Sequence, residues 1–268
     1  MALDSSLNVL AMPLDIVWAD REANIQQVKA AMEHMPAGID IVVLPELFST
    51  GFIKDPSLLT DLPETNSGPT LKTLHELAAR HNCAIAGSFL ARTARNIYNR
   101  AFFIEPSGDE TFYDKRHLFS LSSESAAYSR GSKFKPVIRF RGWNIAMIVC
   151  YDLRFPAWCR SRANEYDLLL VPANWPSARE FAWRHLLIAR AIENQAYVVG
   201  ANRGSRDDYG EYDGLTFVFD PMGASVGKVI PEVPDAVTAS LRKSVIDEWR
   251  RRFPVSADAD SFDIPLEI

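Results

Sequence analysis

Apolar and polar positions along the chain follow two alternating periods. Short apolar runs at 7–12, 41–44, 83–89, 99–104 and 111–113 carry the β-branched and aromatic residues of strands. Between them lie stretches of helical spacing. In 21–35, Ile25, Val28, Met32 and Met35 recur at three- and four-residue steps, and Asp20 is placed to cap the first turn. In 71–81, Leu71, Leu74 and Leu77 or Ala78 share one face, and Ser107, Gly108 and Asp109 mark a turn. The second half repeats this order. Runs at 137–140 and 144–149 flank Arg141 and Gly142 as a hairpin. A helix is predicted over 155–163, a strand over 167–171 and a long helix over 181–197. Strands follow at 198–201 and 216–219, with a turn at Pro221, Met222 and Gly223.

This alternation predicts an α/β protein with helices covering sheets. No Gly/Ser-rich linker separates the halves, so one domain over 1–268 is expected. The polar, proline-containing segment 253–268 is expected to be an extended C-terminal tail that packs on a partner or a neighbouring surface.

Composition narrows the function. The 268 residues are 47% hydrophobic and 24% charged, with a net charge of −5. These are ordinary values for a soluble globular chain, and the acidic balance excludes a general nucleic-acid binder. No apolar stretch approaches the roughly 20 residues of a bilayer span. The first residues lack a charged segment followed by an apolar run. A cytoplasmic location is therefore expected, with no membrane partner and with Cys83, Cys150 and Cys159 reduced. The cysteines form no CxxC pair and the five histidines no HExxH cluster, so no metal is expected.

Three segments carry candidate chemistry. In IAMIVCYDLRFP, residues 145–156, an apolar strand ends at Cys150 and a helical pattern begins a few residues later. A thiol at such a turn is exposed above a sheet edge, and a helix start lowers its pKa from about 8.5 toward neutrality. Taken alone, this segment suits a buried structural cysteine equally well. In IVVLPELF, residues 41–48, a strand runs into Glu46, at the carboxyl end where α/β folds place their sites. A carboxylate there can accept a thiol proton and later activate water. In FYDKRHLF, residues 112–119, Lys115 follows a short strand and can stabilise an oxyanion. By themselves, the glutamate reads as a turn residue and the lysine as a surface charge.

Together, in this order, these motifs resemble those of the nitrilase (carbon–nitrogen hydrolase) superfamily. The resemblance covers nearly the whole chain, and CYDLRFP is its most specific part. It implies a catalytic Glu46–Lys115–Cys150 triad. It also implies a four-layer α-β-β-α sandwich and a homodimer or higher homo-oligomer paired through helices of the α layer. A further catalytic carboxylate is implied at Glu124, whose segment alone also suits a solvated loop. The implied chemistry is acyl transfer to Cys150 without metal or cofactor, with Glu46 as general base and then acid. Lys115 and the Tyr151 backbone N–H would hold the oxyanion.

The substrate side rests on VPANWP, residues 171–176. Here Asn174 could bond an amide, and Trp175 could wall a pocket or sit in the core with equal ease. Phe48 is a further candidate wall. Arg154 and Arg203 are candidates for a substrate carboxylate, although Arg154 lies in the family motif and reads better as structural. The segments ANWP, RAIENQA at 190–196 and FPVSADADSF at 253–262 resemble the omega-amidase branch. That branch implies a small omega-amidodicarboxylate of the 2-oxoglutaramate or succinamate type. Gly214-Leu215-Thr216 departs from the Gly-Asp-Ser or Gly-His-Ser of many relatives, in a loop that borders the site region in the family. Other readings are a different amidase, a carbamoylase or a nitrilase, and, outside the enzymes, a silent scaffold.

Overall fold

The structure is a computed structural model that describes residues 5–122 and 124–266. Strand Ser6–Ala11 shows how the layers arise. Its alternate residues Leu7, Val9 and Ala11 enter one core, together with Ile145, Met147, Leu169 and Val198. Leu10 and the following Met12 enter another, with Val28, Met32, Leu71 and Leu74 from helices. A strand with a period of two that buries both faces needs a sheet on one side and helices on the other. That arrangement is a four-layer α-β-β-α sandwich.

Among the described residues the larger sheet has seven strands, in the order Lys228–Val229, Val237–Arg242, Ser6–Ala11, Ile41–Val43, Ala84–Arg92, Ile97–Ile104 and Glu110–Asp114. Ser6–Ala11, Ile41–Val43 and Ala84–Arg92 run parallel, and the flanking pairs are antiparallel. The second sheet has five strands, in the order Phe217–Phe219, Tyr197–Asn202, Leu168–Ala173, Trp143–Met147 and Val137–Phe140. Its middle strands are again parallel. Helices Arg21–His34 and Pro69–His81 cover the first sheet, and Glu180–Asn194 packs on the second. No helix among the described residues is long and apolar enough to cross a membrane.

The side chain of Asp20 accepts the Ala23 N–H at 3.0 Å and caps the first helix. The helix expected over 155–163 is broken. A 3-10 turn occupies Cys150–Arg154, one helical turn occupies Pro156–Cys159, and a second 3-10 turn occupies Arg162–Asn164. Pro156 holds Phe155 in an extended conformation (φ −108°, ψ 94°), and Ala163 is left-handed at φ 48°. Strand Val237–Arg242 and the helix Lys243–Arg252 that follows it are absent from the expected elements; the strand pairs antiparallel with Ser6–Ala11. The tail beyond them lies on its own chain. Ser256 accepts Asn164 Nδ2 at 2.8 Å, and Arg162 lies 5.2 Å from the Phe262 ring centroid.

Candidate active site

Glu46, Lys115 and Cys150 each sit just past the end of a strand. Beyond Ile41–Val43 the ladder continues through Leu44 N–H to Ala86 O (2.7 Å). Glu46 then turns inward, and Leu47 adopts a left-handed φ of 46° with its N–H donated to Ser88 Oγ at 2.8 Å. Beyond Glu110–Asp114, Lys115 keeps its N–H on Asn99 O (2.9 Å), and its carbonyl accepts Gly131 N–H (2.9 Å). Gly131 is required there, because a Cβ would lie 1.9 Å from Asp114 O. Beyond Trp143–Met147, Ile148 N–H reaches Leu170 O at 3.1 Å, and Cys150 opens the 3-10 turn at φ 44°. Asp152 locks that turn, its carboxylate accepting Val149 N–H at 3.1 Å and Tyr113 Oη–H at 2.8 Å. It also accepts the His117 N–H at 2.9 Å, which ties the lysine loop to the cysteine turn.

These strand ends converge. Lys115 Nζ lies 2.8 Å from Glu46 Oε1, and 2.9 and 3.1 Å from the two oxygens of Glu124. Glu46, Lys115 and Glu124 are 4%, 3% and 2% exposed. A charge set this deep persists only when paired and hydrogen-bonded. The other Glu46 oxygen accepts Asn174 N–H at 2.8 Å, and Glu124 accepts Phe119 N–H at 2.6 Å. Glu124 opens the short helix Glu124–Ala127, so it is a buried partner of Lys115 and not a solvated loop carboxylate.

The electrostatics of the thiol depart from expectation. Burial and then the Glu46 charge push the Cys150 thiol well above the usual range, against the opposing pull of Lys115. A single 3-10 turn supplies too little field to reverse full desolvation. The resting group is therefore a thiol beside a base. Burial works against the Lys115 ammonium too. The Glu124 and Glu46 carboxylates outweigh it and hold the lysine charged, well above its usual pKa.

A cavity of about 280 Å³ opens over Cys150, lined also by Glu46, Lys115, Glu124, Tyr151, Asn174 and Trp175. Both amide atoms of the Asn174 side chain are buried and without a hydrogen-bond partner among the described residues. Trp175 is both wall and core. It faces the cavity, packs tilted against Trp183 with ring centroids 5.4 Å apart, and donates Nε1–H to Arg179 O at 2.9 Å.

Two candidates lie elsewhere. Phe48 is fully buried, edge-on to Phe102 at 6.0 Å, because its strand-side neighbour Glu46 takes the inward position. It does not line the cavity. Arg203 is fully buried and spent on Asp207 and Ile16 O. Leu215 and Thr216 act one layer back. Leu215 O accepts Trp183 Nε1–H, and Thr216 Oγ1 accepts Asn202 N–H. The side chain of Asn202 in turn accepts Trp175 N–H.

One residue at the centre carries no motif. Asn99 is fully buried and donates Nδ2–H to Glu46 Oε1 at 2.7 Å and, at 3.5 Å, to Glu124 Oε1. It spans the two carboxylates that flank Lys115. Its only sequence signal is a polar residue, next to Arg100, inside a mostly apolar strand.

Two back-to-back sheets that deliver a thiol, a carboxylate and an ammonium to one buried point define a nitrilase-type hydrolase. The family model for carbon–nitrogen hydrolases matches residues 9–251. The chain belongs to the carbon–nitrogen hydrolase family. It is 38% identical to omega-amidase YafV of Escherichia coli (strain K12) over 96% of this chain and 98% of the relative. It is 31% identical to 2-oxoglutaramate amidase of Bacillus subtilis (strain 168), over 91% of this chain and 97% of the relative. Among solved structures, XC1258 from Xanthomonas campestris superposes with a TM-score of 0.90 at 35% identity. The match covers 97% of this chain and 99% of that one. XC1258 is a CN-hydrolase superfamily protein bearing an arsenic adduct in its active site.

Proposed function

We propose that the protein hydrolyses the terminal amide of a small omega-amidodicarboxylate through a thioester on Cys150, releasing ammonia. The observation that carries the chemistry is the Lys115 ammonium fixed between Glu46 and Glu124 in the cavity that opens over the Cys150 thiol. Glu46 accepts the thiol proton as sulfur attacks the amide carbonyl. Lys115 and the Tyr151 N–H stabilise the oxyanion. Glu46 returns the proton to the departing nitrogen, and ammonia leaves. Water then attacks the thioester while Glu46 takes its proton, and the acid departs as the thiol is restored. Glu124 keeps Lys115 charged and in place, and Asn99 keeps Glu46 aimed. The unpartnered amide of Asn174 is free to hydrogen-bond the substrate.

The names of the two curated relatives favour the omega-amide class, with 2-oxoglutaramate and succinamate as the substrates to try first. Ammonia release is measured on these two, on N-carbamoyl amino acids and on simple nitriles. Turnover confined to the omega-amides supports the reading. Turnover confined to nitriles or carbamoyl compounds refutes it.

A further inference from the structure

We infer that Arg154 and Arg179 form the recognition site for the carboxylate at the far end of the substrate, a role that rests on the omega-amide reading above. Both line the cavity that holds Cys150. Arg154 ends the 3-10 turn that Cys150 begins, so one short backbone segment fixes the nucleophile and this guanidinium relative to each other. Its guanidinium carbon lies 4.8 Å from the centroid of Trp175, and that of Arg179 lies 5.4 Å from the centroid of Phe119. Both rings are cavity walls. The Trp175 Nε1–H donates to Arg179 O at 2.9 Å, so the indole binds the two arginines into one wall.

What sets this pair apart is the absence of any carboxylate partner among the described residues. Other arginines around the site are already engaged. Arg203 holds Asp207, and Arg190 holds Leu153 O and Glu193. The two carboxylates inside the cavity, Glu46 and Glu124, are taken by Lys115. Arg154 and Arg179 rest instead on aromatic faces, which hold their planes while leaving every N–H free. A guanidinium with free, fixed donors is matched to a carboxylate in the bidentate geometry. Lys54 lines the cavity too, but it rests on the Tyr209 ring, 3.8 Å from the centroid, and not on the Trp175–Phe119 wall. The cavity is thus polarised, with the reacting groups at one end and unpaired positive charge on the Trp175–Phe119 wall.

The test compares succinamate with butyramide, in which a methyl group replaces the carboxylate, and reads the ratio of their kcat/KM values. The wild type is expected to favour succinamate strongly. Arg154→Met should lower that ratio by at least about 10-fold, Arg179→Met by less because it is more exposed, and the double variant should bring it near one. Arg154→Lys should recover part of the ratio. A structural defect lowers both substrates together and leaves the ratio intact, so an unchanged ratio in the double variant overturns the inference. If the wild type itself shows no preference for succinamate, the omega-amide reading fails, and the inference with it.

Discussion

The floor and the mouth of the cavity are built on opposite principles. At the floor, every charge has a partner. Lys115 is shared by Glu46 and Glu124, and Asn99 bridges the two carboxylates. All four are buried, so their geometry is set before substrate arrives. At the mouth, Lys54, Arg154 and Arg179 lie on aromatic faces with no ion-pair partner among the described residues. The floor is prewired for bond making, and the mouth is left open for a ligand to complete. Damage to the floor should therefore appear in kcat and in stability. Damage to the mouth should appear in substrate choice.

The largest effect is expected at the base. In the proposed mechanism Glu46 is the proton acceptor for both half-reactions, so Glu46→Gln should lower kcat by about 10²- to 10⁴-fold, measured as ammonia release. Lys115→Met should lower kcat by about 10²- to 10³-fold. It also leaves two buried carboxylates unpaired, so urea unfolding should show a loss of about 3–5 kcal/mol. A drop in kcat without that loss would mean that the floor is not the tightly coupled unit described above.

The same two variants should move thiol reactivity in opposite directions. Glu46 raises the Cys150 pKa and Lys115 lowers it. Iodoacetamide should therefore label Cys150 faster in Glu46→Gln and more slowly in Lys115→Met, at one pH just above neutrality. Asn99→Ala should act more weakly, with about 1–3 kcal/mol lost in unfolding as Glu46 gives up one donor, and a modest fall in kcat.

Alkaline pH gives the smallest and broadest effect. The folded protein raises the thiols of Cys83 to about 11 and Cys159 to about 12, both chiefly by burial, and Cys150 upward as well. The unfolded chain sheds these protons near 8.5, so above that value the native state binds more protons than the unfolded one. Stability is complete below that point and should decline as pH rises toward 11 and 12. Urea midpoints at pH 8 and pH 10 check the sign.

The same contrast explains what could be read from the chain. Glu46, Lys115 and Cys150 each follow a short apolar run, so their strand-end placement is a local pattern. Their convergence is not local. It was accessible only because the three motifs together resemble one superfamily. Asn99 had no such help, because its partners come from strand register over Ile97–Ile104 and from loops far along the chain. Phe48 was misplaced because two residues along a turn reverse direction when Leu47 takes a left-handed conformation. The continuous helix over 155–163 overlooked Pro156, whose effect on Phe155 is a local rule. Val237–Arg242 was legible in principle. Val237, Ala239 and Leu241 are its buried alternate positions, interrupted by Thr238 and Ser240. The open charges at the mouth could not be read at all, since a cation's lack of a partner is a property of the folded surroundings.

The most direct test of the central claim is the covalent state of Cys150 during turnover. Rapid acid quench of the enzyme with succinamate, followed by peptide mass spectrometry, should show an acyl group on Cys150 that is absent from Cys83 and Cys159. Cys150→Ala should release no ammonia. Unmodified Cys150 in the turning-over enzyme, together with an active Cys150→Ala variant, would contradict the account.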